Sequence, residues 1–564
     1  MWADTSNYPN KPGSLFLGHD GEKELGLMTE RHAITIAGAG AGKGTCVIIP
    51  NLLRWRSSVL VIDPKGEAAE ATAQARKDVG KVFVLDPFES ANVDAEFKAS
   101  YNPLDELDPQ SLTIREDIEA VADGIVMRAD PQAAHWDEGA QSIISGLIAY
   151  ILVEAPRERR SLILMQQILS DDKMLSEALH QMSTMDACGG LCREAFNAAD
   201  AKEGEYFVSN ARKNTRWLAS QGMANVLRSS SFKLAELKTG VASVFLVLPA
   251  NYLGQHGRFL RLFVRCGIEA MSRKIDGGGL RGTQCLFFLD EFFSLGYIDE
   301  IAKASGLMRG YGLQLWPILQ DLGQLVTLYG REGSETFFGN ADLHQFFGNT
   351  DKFTLEYMSA MTGATTIEEV GAAPDAPINA PTPSILGGVM SQSSDKSIRG
   401  MGAVWGGVSG ALSQLSAAAD QADYQNKMNE YQQRMATVGR PRVQIEEMAQ
   451  LVQRKNDVVA DNMFCITHGA DRLLVKPLPY FRELVTPAEA KKRGLATQKA
   501  SGGNRPLAAL FAFISGFAAL LALVGILTSI EGTATGNPLG AIIVCSVVSY
   551  LCYRGWKKFR PPKV

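Results

Sequence analysis

The sequence predicts an α/β fold with a helical insertion, and three observations carry that expectation. Short β-branched runs ending in Gly, Asp or Pro open the chain, a long stretch with apolar residues at three- and four-residue steps follows, and strand-like runs then return. Strands, a helical block and more strands make an α/β domain interrupted by an all-α unit. At 564 residues and 46% hydrophobic content there is material for at least one large core.

HAITIAG (32–38), SVLVIDP (58–64) and KVFVLDP (81–87) read as buried parallel strands, because apolar residues run on without alternation. From Asp117 to about Lys238 the period is helical, as in WDEGAQSIISGLIAYILVEA and LSEALHQM. VASVFLVLP (241–249), TQCLFFLDE (283–291) and GLQLWPILQ (312–320) are the returning strands. Residues 371–411 are dominated by Gly, Ala, Ser and Pro and read as a linker, leading to a helix whose packing stripe is Leu412, Leu415, Ala419, Ala422 and Met428. NMFCITHGADRLLVKPLPYF (462–481) reads as a final strand pair. The expected boundaries are therefore an α/β domain over 1–157 and 236–370, an all-α insertion over 158–235, a linker and helix over 371–440, and a closing part of the α/β domain over 441–485.

The bulk numbers exclude several classes. With 56 basic and 61 acidic residues and a net charge of -5, any contact with nucleic acid must come from a local patch. The eight cysteines include no CxxC pair, and none has a histidine at zinc-finger spacing, so they read as reduced core or membrane residues. The N-terminus lacks the basic-then-apolar layout of a secretory signal, so the soluble part is expected to stay in the cytoplasm.

The segment ITIAGAGAGKGTCVIIPNLL (34–53) admits two chemistries. A dinucleotide-binding fingerprint starting at Gly38 or Gly40 needs its third glycine at 43 or 45, where Lys43 and Thr45 stand. A phosphate-binding P-loop has Gly42-Lys43 in place, but Ala37 replaces its first glycine and Gly44 its Ser/Thr. CLFFLDEFFSLG (285–296) decides between them. An apolar strand ending in Asp290-Glu291 gives a P-loop ATPase one carboxylate for Mg²⁺ and a second to polarise water. Gln320 ends the next strand, where its amide is placed to sense a γ-phosphate.

IAGAGAGKGTCVIIPNLL, SVLVIDPKGE, YNPLD, LFFLDEFFSLG and MRGYGLQLWPILQD, in that order, resemble the TraG-like type IV coupling proteins, the ring ATPases of conjugation and type IV secretion. The resemblance covers roughly 30–370 and resumes near 441–480. It implies a RecA-like P-loop domain that binds ATP and Mg²⁺. The phosphate site would be Gly38, Ala39, Gly40, Ala41, Gly42, Lys43, Gly44 and Thr45, with Lys43 neutralising the β- and γ-phosphates and the amides of Gly40, Gly42 and Gly44 cradling them. The family commonly has Gly after the lysine, as Gly44 is here. Thr45 stands one step late for the usual metal-ligating hydroxyl, a rotation of roughly 100° on a helix. By the same resemblance Asp290 would hold Mg²⁺, Glu291 would orient water, Gln320 would be the sensor, and Arg309 would reach into a neighbouring subunit's site. Asp63, Lys65 and Glu67 form the family's DPKGE stretch, with no chemical role derivable from sequence. In the insertion, Arg212, Lys213 and Arg216 are candidates to track a DNA backbone and Trp217 to stack a base, within a wider basic set that includes Arg228, Lys233 and Lys238.

The expected membrane anchor departs from the family, whose hairpin usually precedes the ATPase. Residues 506–530 carry no charge and exceed the about 20 residues that cross a bilayer. Residues 539–553, flanked by Arg554 and Trp556, read as a second span, giving a hairpin over 506–553. Basic clusters before the first span and after the second keep both ends cytoplasmic. The expectation is a homohexameric ATPase on the bacterial inner membrane, working with other inner-membrane secretion components. It would recruit relaxase-bound single-stranded DNA or effector proteins for transfer. The rival from another class is a nucleotide-switched docking receptor that does no pumping.

Overall fold

The computed structural model describes residues 2–127, 134–275, 279, 282–301, 308–363, 423–430, 442–453, 459–468 and 471–481. All of them lie in one compact unit, Met1–Glu483. The expected hairpin at 506–553 and nearly all of the 371–440 linker fall outside these residues. Of the expected packing stripe only Met428 is described, on a short helix over 423–430. Among the described residues no helix is long and apolar enough to cross a membrane.

The strands, in chain order, are β1 (Leu15–His19), β2 (Glu24–Leu27), β3 (His32–Ala37), β4 (Ser58–Asp63), β5 (Lys81–Leu85), β6 (Ala242–Val247), β7 (Cys285–Leu289), β8 (Leu313–Leu319), β9 (Ala341–Phe347), β10 (Met463–Thr467) and β11 (Asp471–Val475). Nine of them form one sheet in the order β11-β10-β9-β3-β8-β7-β4-β6-β5, and β1 and β2 form a separate hairpin. From β9 to β5 every neighbouring pair is parallel, while β10 runs antiparallel to β9 and β11. The sheet is therefore mixed. β3, β4, β6, β7, β8 and β9 are buried along their whole length, which is why they read as apolar runs rather than as alternation.

Strand β9, ADLHQFF, does not announce itself, because Asp342, His344 and Gln345 interrupt its apolar run. Each of the three has a hydrogen-bond partner. Asp342 accepts from the Thr29 hydroxyl at 2.6 Å and pairs with Arg31, His344 Nε2 lies 2.9 Å from the Phe338 carbonyl, and Gln345 accepts from Thr35 at 3.0 Å. A buried polar group with a partner costs little, so the strand survives at the sheet centre.

Pro317 sits in β8, also central, where a residue without an N–H cannot complete a ladder. The β3–β8 ladder accordingly has only two pairs, Thr35↔Ile318 and Ile36↔Leu319. Side chains take over below them. The Leu315 amide donates to His32 Nδ1 at 3.0 Å, Trp316 Nε1 donates to Thr35 Oγ1 at 2.8 Å, and Gln314 Nε2 donates to the Arg31 carbonyl.

The insertion is all helical, with Ala134–Glu154, Leu162–Ser170, Asp172–Met182, Leu191–Asp200, Gly204–Thr215 and Gln221–Leu227 as its main elements. The chain enters it from Ile114–Ile125 and leaves through Glu236–Thr239 into β6. Ala134–Glu154 is its axis, packed against both Leu191–Asp200 and Gly204–Thr215.

Candidate active site

The carboxyl ends of β3, β8, β7 and β4 lie side by side, and the chemistry-bearing residues are there. After β3 the chain turns through Gly38 to Gly42, with Gly40 at φ 68° and Gly42 at φ 95°, a left-handed backbone that glycine adopts without strain. Gly38 lacks a side chain for a different reason, since a Cβ would meet the Gly348 carbonyl at 2.0 Å. Beyond Lys43 a π-helical turn, Gly44–Ile48, leads into the helix Ile49–Arg54. Pro50 accounts for the wide turn. It has no N–H to donate, and its ring would crowd the carbonyl four residues back.

Lys43 donates to the Ala37 carbonyl at 3.0 Å. Burial lowers its ammonium from the ordinary value, against the pull of Asp290 and Glu291. Asp290 follows β7 and Asp63 ends β4; the parallel register Ile62↔Leu289 makes the two neighbours. Burial pushes Asp63 up to about 7 and Asp290 up to about 6; the Asp290 charge adds to the first shift and the Glu291 charge to the second. Asp63 also accepts from the Ala69 amide at 2.8 Å, so it caps the helix Glu67–Lys77. Lys65, exposed on the turn between them, adds positive charge near Asp290.

Glu291 has φ 53°, an uncommon backbone for a residue with a side chain, and this re-aims the chain directly after the Asp. Gln320 Nε2 donates to both Glu291 carboxylate oxygens, at 3.2 and 3.3 Å. Gln320 is in turn held by Gln324, which accepts from its amide, and by Asn349, whose Nδ2 donates to its carbonyl at 3.3 Å. The structure thus brings together Lys43, Asp290, Glu291 and Gln320 from three strands.

The donor set suits Mg²⁺. Among the described residues no cluster of three or more His, Cys, Asp or Glu could cage a metal. A magnesium ion in a nucleotide site takes one or two carboxylates plus phosphate and water oxygens. Asp290, half-buried beside Asp63 with its carboxyl pushed up, is an excess of negative charge that a divalent cation would relieve. A Cβ at Gly44 would meet nothing within 4 Å, whereas Thr45 already donates to the Gly42 carbonyl at 3.2 Å.

Two site neighbours escaped sequence reading. Asn349 lies beyond β9 and braces Gln320, and its Oδ1 is buried without a partner among the described residues. Tyr480 donates its amide to the Thr45 carbonyl at 3.0 Å, so the chain after β11 walls the phosphate loop. No motif marks either residue.

Arg309 is not in this cluster. It precedes β8, at the opposite end of seven residues that span about 23 Å. It is exposed, with Nε 3.6 Å from Glu30. It therefore cannot reach Glu291 or Gln320 across the sheet. The four DNA candidates also separate. Arg212 is bound to Asp172 at 2.5 Å and to the Leu169 carbonyl at 2.7 Å, while Lys213 and Arg216 are exposed. Trp217, expected to stack a base, is 5% exposed among core side chains, so its ring has no open face for one.

The family model for type IV secretory system conjugative DNA transfer matches residues 5–377. Among curated proteins, the conjugal transfer protein TraG of Rhizobium radiobacter is 30% identical over 356 residues, 61% of this chain and 54% of that protein. The type IV secretion system-coupling protein VirD4 of Bartonella henselae is 25% identical over 353 residues, 60% of this chain and 54% of that protein. The chain spans about half the length of the curated relatives it matches. Two solved structures of the bacterial coupling protein TrwB, one with sulphate and one with ADP and Mg²⁺, superpose with TM-scores of 0.55 at 12% and 13% identity, each covering 84% of this chain and 91% of its own. At such identities the likeness establishes the fold. The family model covers most of the chain, and the relatives agree with it: this protein belongs to the type IV secretion coupling proteins of the TraG/VirD4 family.

Proposed function

We propose that this coupling protein is an ATP hydrolase that works as a homohexameric ring. It would recruit relaxase-bound single-stranded DNA, or effector proteins, and drive them toward a type IV secretion channel. One observation carries the reading: the Gln320 amide rests on the Glu291 carboxylate, beside Lys43 and Asp290, at one edge of the sheet. A receptor that only binds nucleotide has no use for a carboxylate held ready to orient water.

Lys43 would leave the Ala37 carbonyl for the β- and γ-phosphates, and the amides of Gly40, Gly42 and Gly44 would line the phosphate path. Asp290 would hold Mg²⁺, which neutralises charge on the phosphate oxygens when bound. Glu291 would orient the attacking water and take up its proton. Gln320 would report the γ-phosphate by exchanging its bond to Glu291 for one to the nucleotide. Arg309 would act on the adjoining subunit's nucleotide.

The test is ATP turnover by the full chain in detergent, with and without single-stranded DNA, alongside its native mass. Stimulation by DNA and a hexamer are expected; a monomer indifferent to DNA would overturn the motor. Residues 506–553 would anchor the ring as a hairpin in the bacterial inner membrane, ATPase on the cytoplasmic side. Alkaline phosphatase fused after Val564 should then be inactive; activity there would mean a single span and an exported tail.

A further inference from the structure

A cleft separates the helical insertion from the helix that follows β6, Leu253–Ser272. Lys213, Arg216 and Trp217 line it from the insertion, and Gly254, His256 and Arg258 from the first turns of that helix, around about 330 Å³. This is the room a small ligand takes. No carboxylate lines it. Lys213 and Arg216 have no hydrogen bond or ion pair among the described residues, and Arg258 bonds only to the neutral Asn214.

Two features point to a ligand rather than to a solvated face. The first turns of the 20-residue helix Leu253–Ser272 line the cleft, which sets the positive end of the helix dipole beside it. Trp217 and His256 are 5% and 8% exposed, and the Nε1 of one and the Nδ1 of the other are buried without a partner among the described residues. An indole N–H can only donate, so it asks for an acceptor.

We infer that this cleft seats a backbone phosphate of single-stranded DNA, with Lys213 and Arg216 supplying charge and Trp217 Nε1 a directed donor. The inference rests on the DNA-motor reading above and deepens it. One sign of charge with several convergent donors suits a phosphodiester, whose oxygens diverge tetrahedrally. A buried Trp217 means that the backbone, not the base, is recognised. The cleft opens beyond the carboxyl end of β6, two strands from β7, or about 10 Å along the rim that carries Asp290. A strand held there sits within reach of any rearrangement at the nucleotide.

The test uses the full chain in detergent, a dye-labelled oligo-dT and its anisotropy across a salt series. The double variant Lys213→Glu/Arg216→Glu should bind at least about tenfold more weakly at low salt, with the slope of log K against log salt reduced by about 1.4. Trp217→Phe should weaken binding about threefold and leave the slope unchanged, because it removes one neutral donor. Circular dichroism and melting of each variant establish folding, and Lys213→Gln/Arg216→Gln replaces the reversal if that fails to fold. An abasic oligonucleotide should bind as well as oligo-dT. Unaltered affinity and slope in the double variants would overturn the cleft and leave the DNA reading intact. Displacement of the oligonucleotide by inorganic phosphate as readily as by unlabelled DNA would show a free-anion site and overturn the inference. If the wild-type chain binds no single-stranded DNA, both fail together.

Discussion

The nucleotide edge of the sheet and the basic cleft of the insertion hold their charges in opposite ways. At the sheet edge every important side chain already has a partner within the protein: Lys43 the Ala37 carbonyl, Asp63 the Ala69 amide, and Glu291 the Gln320 amide. At the cleft Lys213 and Arg216 stand exposed and unpaired among the described residues. The difference teaches where binding energy goes. At the edge a ligand would exchange for partners that already hold Lys43 and Gln320 close to where they are needed, so little conformational freedom is left to lose. Exposed cations gain their partners from the ligand, so their contribution rises and falls with salt.

The largest effect should come from breaking the prebuilt edge itself. Lys43→Ala is expected to lower ATP turnover by about 1,000-fold and to weaken ATP binding, whereas Glu291→Gln should lose about 100-fold in turnover with ATP binding kept. Single-turnover rates and nucleotide titration separate the two. Equal ATP affinity in wild type and Lys43→Ala would remove the phosphate role of that lysine.

Arg309 crosses the division, since it is exposed like the cleft cations yet assigned to catalysis. Arg309→Ala should cost about 50-fold in turnover, less than a complete arginine finger is worth elsewhere. Rings mixed from Arg309→Ala and Lys43→Ala subunits should regain part of the activity, because each supplies what its neighbour lacks. Mixed rings as inactive as either parent would return Arg309 to the surface.

The smallest effect concerns Asp63. Its carboxyl is held near 7 in the native chain against an ordinary 3.8. The native state therefore binds a proton that the unfolded chain has shed, and the stability this brings is lost as pH rises through 7. Without nucleotide, the melting temperature of Asp63→Asn should exceed that of wild type by about 3 °C at pH 8, and the gap should shrink by pH 6. A gap that is constant with pH would mean Asp63 is ionised in the native state.

Much of the nucleotide edge was legible because its strands are buried on both faces and write themselves as apolar runs that stop at functional residues. Ile62 and Leu289 show this, each followed directly by an aspartate, buried at Asp63 and half-buried at Asp290. β9 was not legible, since its polar residues look like a loop until Thr29, Thr35 and Phe338 are seen to bond with them. Asn349 and Tyr480 were hidden for a different reason. They matter through the tertiary contacts of their segments, Asn349 with Gln320 and Tyr480 with Thr45, and no local spacing records such a contact. In the insertion the sequence showed charge but not direction. Arg212 and Lys213 are adjacent in the chain, yet one is tied to Asp172 and the other opens onto the cleft.

Pro317 gives the sheet a line of weakness. Only two backbone pairings join β3 to β8, and the bonds below them run through the side chains of His32, Trp316 and Gln314, which can re-aim where the five-pair backbone ladder between β7 and β8 cannot. Lys43 belongs to one side of this seam and Asp290 to the other. A nucleotide gripped by both would act as a rivet across the sheet, and its cleavage would release the two halves to slide. The force a subunit delivers would then originate in the sheet itself, and amide hydrogen exchange at Ile318 and Leu319 should slow when ATP and Mg²⁺ bind and quicken after hydrolysis.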